Sequence, residues 1–409
     1  MKSLSHSKLF FSATIAALLI NAIFQLTDPL KQVEPRKLPF AHSWAWWAAQ
    51  DFLEESKPPQ VVLIGSSLMT NPVWSNEADY QNKDVDIALD RRVMYLDDAI
   101  KLRLRDTTAR CFNLALPGAM LSDDYMVVKS LLIDEHKPRI VIFGLSPRDM
   151  VDSGFRCAAS SNHYKYFSKF VDTNDLTELA MPYFWQRISY FISRTIYLEQ
   201  KKSEAQYIAA ELFKSFATGI SGKHVTSDLV NPKVAQSRLA IYESEVEKGV
   251  WIAHPHDFDF YHDTEYEKLR ERYGKSNVEG CENQRKWFEM CLALCKNAEI
   301  QPIIVNMPIT QTNIDLFAPG VYQGCVSQMA AEARKFHCPF IDLQKKSAFV
   351  RSDFTDMCHM DASGGKKTLD FIADEIAGEP NCVASLKRAN FEIADVVTTN
   401  KAVELRRIE

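Results

Sequence analysis

The hydrophobic pattern begins with one long uncharged run near the amino terminus, from Leu9 to Leu26. The run follows Lys2 and Lys8 and is long enough for the roughly 17–20 residues that a membrane-spanning helix needs. A cleaved signal peptide is the alternative, but no small-residue cleavage site stands clearly beyond the run, which favours an uncleaved anchor. We therefore predict a cytoplasmic start and transmembrane signal anchor over residues 1–26, with the main domain outside the cytoplasm.

Short apolar runs form a second pattern, and stretches with helical periodicity lie between them. Runs of this kind, rich in Val and Ile, are typical of parallel strands that are buried on both faces. Their alternation with helices predicts an α/β fold, a doubly wound parallel sheet of about five strands. The predicted strands are Val61–Ile64, Arg110–Ala119, Arg139–Pro147, Gln301–Pro308 and Pro339–Leu343.

The same pattern predicts the domain organisation. After the anchor we expect a linker over 27–59, the first part of the sheet domain over 60–150, a large helical insertion over 151–279, the second part over 280–377 and a helix-poor extension over 378–409. In the insertion, apolar residues between Phe184 and Leu198 recur near helical spacing, which is most often typical of a core-facing helix. A mobile lid and a membrane-surface face are the alternatives.

Three tryptophans, Trp44, Trp46 and Trp47, lie in the linker. Indole rings are enriched at the headgroup layer of membranes, so they could form an interfacial belt. They could equally pack on the globular domain through a short helix over about 42–54.

Composition and charge restrict the function classes. The formal net charge is −5, so the chain lacks the basic footprint that binding to a phosphate backbone needs, and we expect no nucleic-acid partner. None of the nine cysteines forms a CxxC pair, which argues against a zinc knuckle or a thioredoxin motif. The cluster from His254 to His262 has metal-ligand residue types, but its irregular spacing favours a solvated loop. We expect neither a metal nor a cofactor.

Polar residues at the ends of predicted strands are the candidates for chemistry. The first strand runs into Gly65-Ser66-Ser67, and ligands of open α/β sheets bind outside the carboxyl ends of the strands. Ser67 is therefore either a nucleophile or only the N-cap of the helix that follows. Near the carboxyl end, Asp356 and His359 are separated by two residues on a loop before a predicted helix over 364–376.

These residues resemble the SGNH or GDSL hydrolase superfamily, and most of all a membrane-anchored, uncharacterised branch of it. The resemblance is carried by Gly65-Ser66-Ser67-Leu68, by Asn113 with Gly118, and by Asp356-Met-Cys-His359 before Gly-Gly and a last amphipathic helix. It implies an SGNH, flavodoxin-like fold with Ser67 as nucleophile, His359 as general base, Asp356 as its orienting partner and the Gly118 amide as an oxyanion donor. Asp361 is an alternative orienter, and Asn113 either lines the site or satisfies buried backbone groups.

The chain departs from the family pattern at two positions. Ser66 stands where the usual motif has Asp, and the block after the third strand reads Gly144-Leu-Ser-Pro-Arg-Asp149 instead of Gly-x-Asn-Asp. The Asn that normally donates to the oxyanion is therefore missing. Ser146, Arg148 and Asn306 are the candidates to replace it.

The pattern is also similar to exported proteins that transfer D-alanyl or acetyl groups onto bacterial cell-envelope polymers. The resemblance implies an extracytoplasmic serine esterase or O-acyltransferase that acts on ester-linked acyl groups, most simply acetyl, of an envelope carbohydrate. The alternative is a catalytically degenerate SGNH-like partner that binds or assembles with a membrane acyltransferase. A purely structural envelope protein would not bring Ser67 and His359 together.

Overall fold

The computed structural model of the chain describes residues 2–33, 43–86, 89–105, 109–151, 157–221, 252–255, 266–274 and 278–392. The strands in these ranges are β1 (Val61–Gly65), β2 (Val85–Asp86), β3 (Cys111–Asn113), β4 (Ile140–Leu145), β5 (Ile252–Ala253), β6 (Gln301–Asn306) and β7 (Phe340–Asp342). Five of them form an all-parallel sheet in the order β3-β1-β4-β6-β7, while β2 and β5 form a small antiparallel pair. The predicted α/β class and five-stranded parallel sheet are confirmed.

Helices occupy most of the remaining described chain. In chain order they are α1 (Lys2–Thr27), α2 (Ser43–Glu54), α3 (Ser67–Gln81), α4 (Met94–Leu104), α5 (Leu121–Val127), α6 (Arg148–Val151), α7 (Asn162–Phe167), α8 (Thr177–Ala180), α9 (Phe184–Thr195), α10 (Tyr197–Gln200), α11 (Lys202–Ser221), α12 (Tyr266–Tyr273), α13 (Val278–Asn297), α14 (Gln311–Ile314), α15 (Val321–Phe336), α16 (Ala362–Gly378) and α17 (Pro380–Glu392). A π-helical turn, Val128–Leu132, extends α5, and short 3-10 turns lie at Ala158–Ser160, Asn174–Leu176, Leu343–Lys345 and Arg351–Asp353.

The centre of the sheet is the pairing of β1 with β4. Both strands are buried along their whole length, because Val, Ile, Leu and Phe side chains fill both faces. The pair ends at Gly65 opposite Gly144. Gly65 has a φ of +132°, and a Cβ on it would lie 2.3 Å from the Gly144 carbonyl oxygen, so only glycine fits where the chain turns toward α3.

The strand β3 is shorter than predicted, because only Cys111–Asn113 pair in the ladder. The chain beyond it still follows β1. The N–H groups of Leu114 and Leu116 donate to the carbonyls of Leu63 and Gly65, each at 2.8 Å. The loop after β3 is thereby held beside the end of β1, where the candidate nucleophile lies.

The described chain divides into two compact units. One contains α1 with residues up to 33 and the helices over 181–221, and the other contains the sheet with residues 44–180 and 252–392. Residues 157–180, which the sequence pattern assigned to the insertion, therefore belong to the same unit as the sheet. The predicted helix-poor extension is wrong over its first part, because Pro380–Glu392 forms α17 and buries Cys382 and Leu386. Pro380 suits the first position of a helix, where its missing N–H costs nothing.

The tryptophan cluster packs on the unit that contains the sheet. Trp46 and Trp47 lie on α2 and are 4% and 5% exposed, and the Trp44 ring stacks on Trp74 of α3 at 5.7 Å. Of the two interpretations of these indoles, packing through a short helix is the one that the structure supports.

The helix α1 contains the predicted apolar run. Its segment Phe10–Thr27 is long and apolar enough to cross a membrane, and none of it is buried inside the protein. Large side chains along it, such as Phe10, Leu18 and Leu26, are exposed by 64% or more. A helix that shows apolar side chains all round is typical of a membrane span.

Candidate active site

The nucleophile candidate lies at the first position of α3. Ser66 is the N-cap of this helix, so its hydroxyl accepts from the Leu68 N–H at 3.4 Å and is 1% exposed. The helix therefore begins at Ser67. The Ser66 hydroxyl is used as the cap, and the Ser67 hydroxyl is the one that reaches the histidine.

A continuous chain of hydrogen bonds joins the three candidate residues. The Ser67 Oγ lies 2.8 Å from Nε2 of His359, and Nδ1 of the same ring lies 2.6 Å from Oδ2 of Asp356. The other carboxylate oxygen, Oδ1, accepts from the backbone N–H groups of Cys358 and His359, both at 2.7 Å. The structure therefore brings the predicted serine, histidine and aspartate together in the geometry of a nucleophile, a base and an orienting group.

The loop that carries His359 is fixed at both ends. Phe354 and Met360 form an isolated bridge, and the Thr355 N–H donates to the His359 carbonyl at 2.9 Å. Thr310, which lies outside this loop, donates from both its N–H and its hydroxyl to the Met357 carbonyl. These bonds hold the imidazole in one orientation over the start of α3.

The Gly-Gly pair after the motif controls how closely α16 approaches α3. A Cβ on Gly365 would lie 2.1 Å from the Pro72 carbonyl oxygen, so the two helices touch backbone to backbone at this point. Asp361, the alternative orienter, is the N-cap of α16 and accepts from the Gly364 N–H at 3.0 Å. Its carboxylate caps the helix, and Asp356 is the one that contacts the histidine.

We expect Gly365→Ala to destabilise the fold by about 1–3 kcal/mol, as overpacking in a well-packed interface does. The added methyl group has to push α16 away from α3, which lengthens the distance between the His359 ring and Ser67. Thermal or denaturant unfolding measures the loss. The matched control is Gly378→Ala in the same helix, where a Cβ meets nothing within 4 Å. Equal stability of the two variants would contradict the close-approach argument.

The charges in the site raise the proton affinity of the imidazole. Burial raises the pKa of the Asp356 carboxyl, but hydrogen bonds from the His359 ring and from two backbone N–H groups lower it by more, so the net shift is well below its ordinary value. Burial of the ring lowers the pKa of His359, whereas the Cys358 sulfur and the Asp356 carboxylate raise it by more, and the net shift is upward. The Cys358 Sγ lies 3.6 Å from Nδ1 of the ring.

This arrangement predicts a pH effect that is independent of any substrate. Replacing Cys358 by Ala removes a group that favours the imidazolium, so the pKa of His359 should move down. NMR titration of the labelled imidazole ring measures it, with His359→Gln used to assign the resonance. A pKa that is unchanged or higher in Cys358→Ala would contradict this electrostatic account.

Gly118 and Asn113, the candidates from the second block, lie on the loop beside β1. Gly118 is exposed in a turn and has a φ of +77°. The neighbouring Pro117 carbonyl is bonded by Nε2 of His163 at 3.0 Å, which anchors this turn to α7. The Asn113 side chain is fully buried and accepts from the Ala115 N–H at 3.1 Å. That hydrogen bond supports the structural interpretation of Asn113.

The three candidates for the missing oxyanion donor have different surroundings. The Asn306 amide donates to the Asp342 carboxylate at 2.7 Å, so this hydrogen bond links β6 to β7. Arg148 donates to the Cys358 Sγ at 2.9 Å and lies over the Tyr273 ring. Ser146 follows Gly144 by two residues, as Ser67 follows Gly65, and its buried hydroxyl has no hydrogen-bond partner among the described residues. Of the three, Ser146 alone lies at a strand end beside β1 and has a hydroxyl that no described residue contacts by a hydrogen bond.

The site includes two residues that the sequence reasoning did not single out. Cys358 lies inside the Asp-x-x-His motif, and its position between the aspartate and the histidine was the available signal. His163 lies about two hundred positions from the motif on a short helix, and no sequence pattern indicates that it would hold the Pro117–Gly118 turn.

Metal-ligand atoms also meet at this site. Among the described residues, Asp356, Cys358 and His359 bring a carboxylate, a thiol and a ring nitrogen within 4.8 Å of one another. Both ring nitrogens are already hydrogen-bonded, to Asp356 and Ser67, so a cation would have to displace this chain of hydrogen bonds. In the other cluster, His254 pairs with Asp84 at 2.8 Å, and the residues over 256–262 lie outside the described ranges.

Comparisons with known proteins add no family to this picture. No protein-family model matches the chain, and no curated protein matches it. The function of the site is therefore inferred from its own geometry.

Proposed function

We propose that this protein is an SGNH-type serine esterase or O-acyltransferase that acts on ester-linked acyl groups, most simply acetyl, of an envelope carbohydrate. The observation that carries the proposal is the unbroken contact from Ser67 through His359 to Asp356, at 2.8 and 2.6 Å. A serine hydroxyl is a weak nucleophile at neutral pH and needs such a base and such an orienting group. The class of substrate rests on the family resemblance.

In the proposed reaction, Nε2 of the neutral His359 ring takes the hydroxyl proton while the Ser67 Oγ attacks the ester carbonyl. Because the pKa of this ring is raised, the neutral form that reacts increases with pH. The Nδ1–H donates to Asp356 throughout, which fixes the tautomer and stabilises the imidazolium. The imidazolium then gives its proton to the departing alcohol oxygen as the C–O bond breaks, and the acyl group remains on Ser67. Water or a sugar hydroxyl attacks this acyl-serine by the same steps in reverse.

The oxyanion that forms during attack needs hydrogen-bond donors. Ser67 is the first residue of the fifteen-residue α3, and the first N–H groups of a helix have no partner within the helix. Its N–H, together with that of Gly118, is the proposed pair of donors. Losing one such donor costs roughly 100-fold or more in rate, so an SGNH-like protein without the usual Asn is expected to be slow unless Ser146 replaces it.

The proposed location follows from α1, which we take as a single membrane anchor. The carbohydrate substrate then requires that the unit with the sheet lies outside the cytoplasm. A membrane acyltransferase that supplies acyl groups is the proposed protein partner.

The purified full chain tests the proposed reaction class. With an aryl acetate we expect a burst of released phenol equal to the amount of protein, followed by slower turnover as the acyl-serine is consumed. Adding a carbohydrate acceptor and comparing acetate with acetylated sugar separates hydrolysis from transfer. Turnover no faster than that of Ser67→Ala would contradict the proposal.

A second candidate function is supported by the missing Asn donor and by the use of the Asn306 amide by Asp342. Under it, the protein keeps the fold and binds or assembles a membrane acyltransferase without doing chemistry. The two candidates differ in a complementation experiment. A degenerate partner predicts that Ser67→Ala restores envelope acylation as well as the wild type does, whereas an enzyme predicts that it does not.

A further inference from the structure

The helix α9 has an apolar face that the described residues do not cover. Phe184, Trp185, Ile188, Phe191 and Ile192 lie at helical spacing on one side, and none of the residues of α9 is buried. Phe184, Trp185 and Phe191 are 68%, 76% and 68% exposed. The expectation that this stripe faces a protein core is therefore wrong. An amphipathic helix with a free aromatic face needs another apolar surface to be stable.

The carboxyl end of α9 is tied to the carboxyl end of α1 by several hydrogen bonds. The side chains of Asn21 and Gln25 both donate to the Thr195 carbonyl, at 3.0 and 3.3 Å. The Asn21 side-chain oxygen also accepts from the Tyr197 N–H at 2.8 Å. These bonds satisfy the two polar side chains near the end of the apolar run and fix where α9 meets it.

Tyr197 completes this junction. Its hydroxyl donates to Asp28 at 2.7 Å and accepts from the Leu30 N–H at 2.9 Å, and its ring packs edge-on against Phe24. Tyr197 is 2% exposed, so the junction is a packed contact. α9 therefore ends at a defined level of α1.

That level corresponds to the edge of a bilayer. Asn21 precedes the last helical residue, Thr27, by six positions, which is about 9 Å along a helix. Thr27 is also the end of the apolar segment Phe10–Thr27. Helices that lie in the interface bury their apolar face roughly 5–10 Å into the boundary between headgroups and acyl chains, so the Asn21–Thr195 contact lies at a depth that such a helix reaches.

The polar side of α9 fits the same environment. Arg187 and Arg194 are its charged residues and it has no acidic residue. The Arg194 guanidinium lies over the Tyr190 ring. Both arginines lie along one border of the aromatic face, and basic residues beside the apolar face of an amphipathic helix are typical of helices that lie in the interface of anionic membranes.

We propose that α9 lies in the headgroup layer of the bilayer that α1 crosses, with its aromatic face against the acyl chains and its two arginines toward lipid phosphates. This inference rests on the proposed anchoring by α1. It gives the protein a second membrane contact in addition to α1.

The test uses the full chain in vesicles of phosphatidylcholine and phosphatidylglycerol that carry bromine near the top of the acyl chains. The fluorescence of Trp185 is obtained as the difference between the wild type and Trp185→Phe. We expect brominated lipid to quench at least half of that difference and aqueous iodide to quench little of it. A difference signal that iodide quenches and brominated lipid leaves intact would overturn the proposal.

A pair of variants shows whether the aromatic face is responsible. Phe184→Ser combined with Phe191→Ser should reduce the lipid quenching of Trp185 at least twofold. The matched control is Leu102→Ser on α4, a residue that is 78% exposed in the other unit, and it should change nothing. Equal effects of the two changes would also overturn the proposal.

Flotation of the same vesicles separates the possible failures. Protein that does not float would overturn both the anchoring by α1 and the position of α9. Protein that floats with unquenched Trp185 overturns the position of α9 alone. Labelling of Ser67 by a fluorophosphonate does not depend on either result, so the proposed chemistry is tested separately.

Discussion

Replacing Ser67 by Ala is expected to lower the turnover of an aryl acetate by at least roughly 1,000-fold and to remove labelling by a fluorophosphonate. The Ser67 hydroxyl is the one that contacts Nε2 of His359, at 2.8 Å, and no bond to the acyl group can form without it. Steady-state kinetics with an aryl acetate and gel fluorescence of the labelled protein measure the two effects.

Ser66→Ala is the matched control for this prediction, because it removes the neighbouring hydroxyl. Ser66 caps α3, so its loss should cost about 1 kcal/mol of stability while labelling and turnover persist. If the two variants exchanged these properties, Ser66 would be the nucleophile and the assignment from the structure would be wrong.

Replacing His359 by Gln is expected to have a similarly large effect. Glutamine has no group that takes the serine proton at neutral pH, so turnover should fall by at least roughly 1,000-fold although Ser67 is still present. Combining His359→Gln with Ser67→Ala should lower turnover little further, because the two side chains act as one unit. Measuring the turnover of the two single variants, the double variant and the wild type tests this expectation.

The control for the histidine is His254→Gln. His254 is paired with Asp84 on the β2–β5 side of the fold, and the structure gives it no contact with the triad. Its replacement should leave turnover within about twofold, as is usual for surface substitutions. If the loss of turnover in the double variant equalled the product of the losses in the two single variants, Ser67 and His359 would contribute independently. That result would contradict a shared proton transfer.

The approach of Ser67 to the loop with Asp356 and His359 could be predicted because parallel strands end at one edge of the sheet. Ser67 follows β1 directly, and the loop with Asp356 and His359 precedes α16. Once the alternation of strands and helices was recognised, these residues had to approach the same edge. The spacing of two residues between Asp356 and His359 then lets the carboxylate accept from the ring that follows it.

Other features could not be predicted because they depend on packing across the molecule. The aromatic stripe of α9 has the periodicity of a core helix, and periodicity does not tell whether protein or lipid covers a face. The hydrogen bond of Asn306 to Asp342 likewise depends on the order of β6 and β7 in the sheet. The helix α17 was missed because its charged positions hide the burial of Cys382 and Leu386.

Peptide mass spectrometry after reaction with a fluorophosphonate tests the central claim most directly. The account predicts a single phosphonate adduct on the wild-type chain, carried by the Ser67 side chain, with no adduct in His359→Gln over the same reaction time. An adduct on any other residue, or an unreactive Ser67 in the folded protein, would contradict it.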